Sequence, residues 1–225
     1  MIRPEALLAQ HPVFMPFNAA ERAELSRRAL RREYQRGEII SLYGDVWPYL
    51  LMVDSGRVMG VKESSEGRQL IVINLGSGEV FWGLAFFNEG AATPVTLIAH
   101  DDSILYLWSR EALLPLLLEN GSALWSLAQL MVTRMQQASQ IVEGLAFQPV
   151  AGRLARLILD QFGRSGDQSV ARSLTLDEMA AMVGSTREMV CRILYRFADE
   201  DLIEVTRTEF RLTDEQGLAE LAERV

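Results

Sequence analysis

The spacing of apolar residues divides the chain into a helical, a β-rich and a second helical region. Residues 1–33 carry apolar residues three or four positions apart among charged ones, which predicts helix up to about Leu30. From Tyr34 onward, short apolar runs alternate with glycines, and we expect strands at 39–40, 49–53, 57–61, 69–75, 96–99 and 104–107. Many short strands separated by turn signals indicate a sandwich or barrel of the jelly-roll type.

Helical spacing returns at 110–118 and continues in a longer helix from about 123 to 145. This helix has two apolar stripes, one that steps by three and four residues and one that holds Ala128, Met135 and Val142. One stripe would suit a helix that lies on its own domain, but two stripes favour a helix that also pairs with a second subunit. We therefore predict a homodimer whose seam is formed by Leu124, Leu127, Met131, Ile141 and Leu145.

Pro149 marks the next boundary, because proline ends one helix and suits the first turn of another. A helix at 151–162 and a polar loop at 163–173 are expected after it. The predicted domains are a β-rich domain over 1–118, a dimerisation helix over 119–147 and a C-terminal domain over 148–225.

Two helix starts ten residues apart predict a helix-turn-helix in the C-terminal domain. Thr175 with Glu178, and Ser185 with Glu188, each have the spacing of a capping box. Between them, Gly184 can supply the left-handed turn that joins the two helices. The second helix then presents an exposed face that consists of Thr186, Arg187, Glu188, Cys191 and Arg192.

This exposed face fits either a DNA-binding surface or an ordinary solvated helix. Arginine can donate two hydrogen bonds to guanine, and a carboxylate can accept one from cytosine. Two β-like segments at 205–206 and 210–212 add a hairpin, which is typical of a winged helix-turn-helix and favours DNA. Thr186 and the free amides at the helix start should hold a phosphate. The expected DNA contacts are Ser185, Thr186, Arg187, Glu188, Cys191 and Arg192, with Arg207 and Thr208 at the tip of the wing.

The composition is that of an ordinary globular chain, with 49% hydrophobic residues and a net charge of −8. This charge neither supports nor excludes DNA, because residues 146–213 hold nine arginines at a net charge of −1. The single cysteine, Cys191, excludes an intramolecular disulfide and a cysteine-built metal centre. No apolar run is long enough to cross a membrane and the first residues lack a secretory signal, so we expect a cytoplasmic protein without a membrane partner.

Several short motifs occur in an order that covers nearly the whole chain. They are Tyr34-x-x-Gly37-Glu38-x-Ile40, Gly44-Asp45, Gly56-Arg57-Val58, Gly78-Glu79, Gly144-Leu145-Ala146-Phe147 and Arg187-Glu188-x-x-x-Arg192. In this combination the chain resembles the family of bacterial transcription regulators around the cyclic-AMP receptor protein and FNR. The resemblance implies an α+β protein with an N-terminal β-roll of the cyclic-nucleotide-binding type, a long dimerisation helix and a C-terminal winged helix-turn-helix.

The same resemblance implies a mode of DNA binding. Arg187 and Arg192 would contact guanines and Glu188 a cytosine, in a half-site similar to TGTGA. A two-fold homodimer would bind double-stranded DNA at an inverted repeat. RNA polymerase is a further partner that the resemblance implies.

The effector region departs from the family pattern. In members that bind cyclic nucleotides, an arginine shortly after Gly-Glu clamps the phosphate, but here no Arg or Lys occurs between Arg68 and Arg110. The expected position falls near Ala92 or Thr93, which argues against cyclic AMP as the effector. The candidate effector pocket is Glu79, Phe81, Trp82, Arg134, Ala138 and Ser139. For the two aromatic residues, core packing is the favoured interpretation over an apolar ligand pocket.

Other functions find less support in the sequence. A regulator that binds a cyclic nucleotide in an atypical pocket, or that senses haem or redox state, stays an alternative, with His11, His100 and Cys191 as the residues concerned. A jelly-roll oxygenase would need two or three histidines together, and the chain has only two. We therefore predict neither an enzyme nor a metal site.

Overall fold

The computed structural model describes residues 4–162, 170–171, 174–206 and 209–223. Contacts divide the chain into two compact units, residues 1–62 with 72–137 and residues 63–71 with 138–225. The helices are α1 Pro4–Gln10, α2 Ala19–Arg28, α3 Arg110–Glu119, α4 Gly121–Phe147, α5 Val150–Phe162, α6 Leu176–Val183, α7 Arg187–Asp199 and α8 Glu215–Glu223. The strands are β1 Leu30–Tyr34, β2 Ile39–Ser41, β3 Tyr49–Ser55, β4 Val58–Glu63, β5 Gln69–Leu75, β6 Val80–Trp82, β7 Thr96–Ala99, β8 Ser103–Ser109, β9 Val170–Ala171, β10 Ile203–Val205 and β11 Glu209–Leu212.

The β-rich region contains two four-stranded sheets, in the orders β1-β8-β3-β6 and β2-β7-β4-β5. The central strand β3 is buried on both faces, which suits its continuous apolar sequence. Leu51 and Val53 belong to the apolar cluster that the two sheets share. Leu50 and Met52 point the other way, into a cluster that includes residues of α1 to α4. The predicted β-roll is thus confirmed, with helices covering one of its sheets.

The first helical region is shorter than the sequence pattern predicted. The Asn18 side chain caps α2 by accepting a hydrogen bond from the Glu21 N–H at 3.0 Å, and the helix ends at Arg28. Leu30 instead begins β1, where it lies opposite Leu107 of β8. β1 is an edge strand without a buried side chain, so its sequence lacks the apolar alternation that would have revealed it.

Two further strands were not predicted from the sequence, because they are too short to show a periodic pattern. β6 has three residues and pairs with β3. β9 has two residues and pairs with β11, although it falls within the predicted loop at 163–173. The rest of that predicted loop lies outside the described residues.

The second unit has its own apolar core, built by α5 to α8 and the three-stranded sheet β10-β11-β9. Residues from four of these elements are completely or almost completely buried together, namely Leu154, Ile158, Val190, Phe197, Phe210 and Leu218. The β10–β11 hairpin pairs Ile203 with Leu212 and Val205 with Phe210. This arrangement confirms the C-terminal winged helix-turn-helix.

The long helix α4 exposes apolar side chains on both of its stripes, and Met131 and Leu145 of the predicted dimer seam are 37% and 38% exposed. Leu127 is fully buried in the cluster that covers the β-roll, so its assignment to the seam is wrong. The most exposed apolar side chains of the helix before Phe147 lie on or beside the second stripe: Trp125 is 67% exposed, Val132 51%, Met135 67% and Val142 66%. Along the described part of the chain, neither α4 nor any other helix is long and apolar enough to span a membrane.

Candidate nucleic-acid interface and effector site

A tight turn joins α6 to α7. The predicted capping box of α6 is present, because the Thr175 side chain accepts from the Glu178 N–H at 3.2 Å and the Glu178 carboxylate accepts from the Thr175 N–H at 2.7 Å. Gly184 ends α6 in the left-handed conformation, with φ +62°. This backbone conformation strains any residue with a Cβ, so the turn favours glycine.

The start of α7 lies one residue later than the sequence pattern predicted. Thr186, and not Ser185, caps the helix by accepting from the Met189 N–H at 3.3 Å. The Ser185 N–H is used to close α6, where it donates to the Ala180 carbonyl at 2.9 Å. The predicted Ser185–Glu188 capping box is therefore wrong. Hydrogen bonds from the Glu188 backbone N–H and then from the Thr186 hydroxyl lower the pKa of the Glu188 carboxyl, which keeps it ionised.

The two sides of α7 differ in chemistry. Val190, Ile193, Leu194 and Phe197 are buried in the core of the second unit. On the other side, Arg187, Glu188, Cys191 and Arg192 line one open face of the helix. Tyr195, Arg196 and Asp199 complete this surface, to which we refer as the α7 surface. An exposed helix face with arginine and glutamate side chains is of the kind that a DNA major groove admits.

Sequence reasoning missed Asp199 of this surface and three further polar residues at or beside it. Tyr195 is 70% exposed and Arg196 is exposed, and both follow one helical turn after the predicted contacts. That spacing was the available signal. The third residue, Asp177 of α6, forms an ion pair with Arg187 at 2.9 Å. Its position depends on how the two helices cross, which spacing along one helix does not reveal.

The predicted wing is only partly described. Glu204 and Arg211 face each other across the β10–β11 hairpin and form an exposed ion pair at 3.3 Å. Thr206 follows β10 and its N–H donates to the Glu209 carbonyl at 3.0 Å. The predicted wing contacts Arg207 and Thr208 lie outside the described residues.

In the first unit, Glu79 and Arg134 form an ion pair at 2.9 Å. The second oxygen of Glu79 accepts from the Gly76 N–H at 2.8 Å. Arg134 Nη1 donates to Gln137 Oε1 at 3.0 Å, while its Nε is buried without a partner in the described residues. Glu79 and Arg134, two of the candidate effector residues, are therefore paired with each other.

The two histidines occupy different environments. His11 lies directly after α1, and its Nδ1 accepts from the Val13 N–H at 3.2 Å. Burial, and secondarily the positive charge of Arg134, lowers the pKa of His11 to about 4, against an opposing effect of Glu79. His11 is consequently neutral at pH 7. His100 follows β7 directly and is buried.

The predicted effector residues have different surroundings. Trp82 is buried in the cluster that α1 to α4 cover, whereas Phe81 packs against the cluster between the sheets. Core packing accounts for the burial of Trp82, and its assignment to an effector pocket stays a prediction. Ala138 and Ser139 are exposed positions of α4. Glu79 and Arg134 form their ion pair at 2.9 Å, and the rings of Phe81 and Trp82 stack with their centroids 5.6 Å apart.

A β-roll, a long helix and a winged helix-turn-helix with an arginine-bearing second helix define a DNA-binding regulator. Two family models match the chain in the corresponding places, the cyclic nucleotide-binding domain over residues 31–120 and the Crp-like helix-turn-helix domain over residues 152–221. The chain belongs to the CRP/FNR family of transcription regulators.

Similar proteins extend over most of the chain. The cyclic AMP receptor protein of Thermus thermophilus is 28% identical and covers 85% of this chain and 88% of its own. A CRP-like cAMP-activated global transcriptional regulator of Mycobacterium tuberculosis is 24% identical, with coverages of 97% and 99%. The crystal structure of a regulator of the crp/fnr family from Eubacterium rectale has a TM-score of 0.77 at 22% identity, covering 94% of this chain and 97% of that one, which supports the fold.

Proposed function

We propose that the protein is a homodimeric transcription regulator that binds an inverted-repeat DNA site and does not respond to cyclic nucleotides in the manner of its relatives. The observation that carries the DNA-binding part is the α7 surface, which presents Arg187, Glu188 and Arg192 together beyond a fixed turn. In this proposal residues 148–225 bind DNA, 119–147 form the dimerisation helix and 1–118 form the sensor. RNA polymerase is the further partner expected of such a regulator at a promoter.

The dimer is proposed to form through the exposed stripe of α4. Val132 and Met135 lie at the centre of this stripe, Trp125 lies at one end and Val142 at the other. All four side chains are more than half exposed in the single chain. Large apolar side chains at such spacings of three and seven residues are those that a second helix buries in a coiled coil. This contact can be flanked by other residues of the predicted dimer seam, namely Leu124, Met131, Ile141 and Leu145.

Base contacts follow from the chemistry of the α7 surface. Arg187 and Arg192 are proposed to contact guanines and the ionised Glu188 a cytosine, while Thr186 at the helix start contacts a phosphate. Ser185 and Cys191 are proposed to border the groove, and Arg207 and Thr208 to contact the DNA backbone from the wing.

Selection of bound sequences from a randomised DNA pool tests this function. We expect the purified full-length protein to select an inverted repeat whose half-sites lie about 34–36 Å apart on one face of the duplex, because a two-fold dimer presents its two α7 helices in that way. Selection of a single unrepeated element, or of no preferred sequence, would contradict the proposal.

Cyclic nucleotides test the sensor part of the proposal. The segment between Arg68 and Arg110 supplies no cation for a phosphate, and Arg134 is already paired with Glu79. We expect titration calorimetry with cyclic AMP and cyclic GMP to give no micromolar binding. The variant Ala92→Arg, which puts a guanidinium at an exposed position near the expected clamp, should bind more tightly than wild type. Micromolar binding to the wild type would overturn this part.

A further inference from the structure

Arg187 differs from the other two arginines of the α7 surface in how it is held. Arg192 Nη2 contacts Met189 Sδ at 2.9 Å, and Arg196 lies 3.8 Å from Glu200, so both find neighbours on their own helix. Arg187 Nη1 instead donates to Asp177 Oδ2 of α6 at 2.9 Å. The helix-turn-helix brings together two side chains ten residues apart in sequence.

The pair lies in solvent, so it contributes little to stability. The side chains of Asp177 and Arg187 are 67% and 60% exposed, and solvent screens the attraction of such exposed pairs. Its effect on Arg187 is geometric. A guanidinium group is planar and its N–H donors have fixed directions. Because Nη1 donates to Asp177, the edge formed by Nε and Nη2 is the one that can bind a second, bidentate partner.

We propose that Asp177 is a positioning residue that sets the sequence specificity of DNA binding by orienting the Nε–Nη2 edge of Arg187 toward the bases. The inference rests on the proposed function, since it requires that Arg187 contacts a base. An arginine that is already oriented loses less side-chain freedom when it binds, and it rejects a base that does not match this one orientation.

A purely electrostatic role for Asp177 would have a different signature. An acidic group near DNA repels phosphates, and its removal then raises affinity for every sequence by the same factor. An orienting group also limits which base Arg187 can accept, so its removal lowers discrimination at one base pair in particular. Base-by-base competition therefore separates the two roles.

The experiment compares wild type, Asp177→Ala, Asp177→Asn and Glu204→Ala in competition binding to the selected site and its single-base variants. Glu204→Ala is the matched control, since it removes the same charge from an exposed Asp/Glu–Arg pair in the same domain. For Asp177→Ala we expect discrimination to fall by about three- to tenfold at the base pair that Arg187 contacts and to persist elsewhere. Asp177→Asn keeps an acceptor for Nη1 and should retain most of the discrimination.

The coupling to Arg187 supplies a second readout. In an Arg187→Ala background, Asp177→Ala should cause no further loss at that base pair. Unchanged discrimination in Asp177→Ala, a loss spread evenly over all base pairs, or the same loss in Glu204→Ala would overturn the inference while leaving the DNA-binding function intact. Absence of any sequence preference in the wild type would overturn the proposed function, and this inference with it.

Discussion

Replacing Val132 and Met135 together with glutamate should convert the dimer into monomers. Both side chains are more than half exposed at the centre of the α4 stripe, so in a dimer they are covered by the second subunit. Burying two carboxylates in that contact is unfavourable, because neither would have a cationic partner there. Light scattering should give half of the wild-type mass. Binding to the full inverted repeat should weaken by about 10²- to 10⁴-fold, because each half-site is then bound independently.

The matched control is Thr133→Glu. Thr133 is exposed on the same helix but lies away from the stripe, because consecutive residues of a helix are about 100° apart around its axis. We therefore expect this variant to stay dimeric and to bind DNA like wild type. A dimeric Val132→Glu/Met135→Glu protein would contradict the proposed face. Leu127 is unsuitable for this test, because glutamate at a fully buried position would unfold the β-roll and remove the dimer indirectly.

The sequence predicted elements with strong apolar patterns and missed those without. The interior strands, the long helix and the α6–α7 pair follow from periodicity, capping residues and the glycine at position 184. β1 is polar and lies at a sheet edge, and β6 and β9 are too short to show a period. In each case the pairing partner, and not the local sequence, makes the strand.

The same distinction applies to the sites. Helical spacing was sufficient to place Arg187, Glu188, Cys191 and Arg192 on one surface. It misplaced the cap by one residue, because Thr186 competes with Ser185 and the Ser185 amide is needed to close α6. On α4, both stripes were visible in sequence, but which one faces the β-roll depends on the packing of Leu127 and Ala123 against α1 to α3. Such contacts join distant segments and leave no local pattern.

The second large effect is expected for Arg187→Ala. Removal of a bidentate contact to guanine should cost about 1–3 kcal/mol at the preferred site. The loss should relax the preference at one base pair in each half-site and leave the other positions unchanged. Selection from the randomised DNA pool with wild type and variant in parallel measures this directly. The inverted repeat should persist in the variant, since its symmetry comes from the dimer.

Arg211→Ala is the control variant that removes a positive charge without removing a proposed base contact. Arg211 is an exposed arginine of β11 that pairs with Glu204, so its removal changes the domain charge by the same amount as Arg187→Ala. Long-range attraction to phosphates falls equally in the two variants, and Arg211→Ala should weaken binding to all sequences by one factor. Only Arg187→Ala should then alter the selected sequence. An unchanged base preference in Arg187→Ala, or an equal change in both variants, would mean that Arg187 contributes charge to the DNA contact and no sequence information.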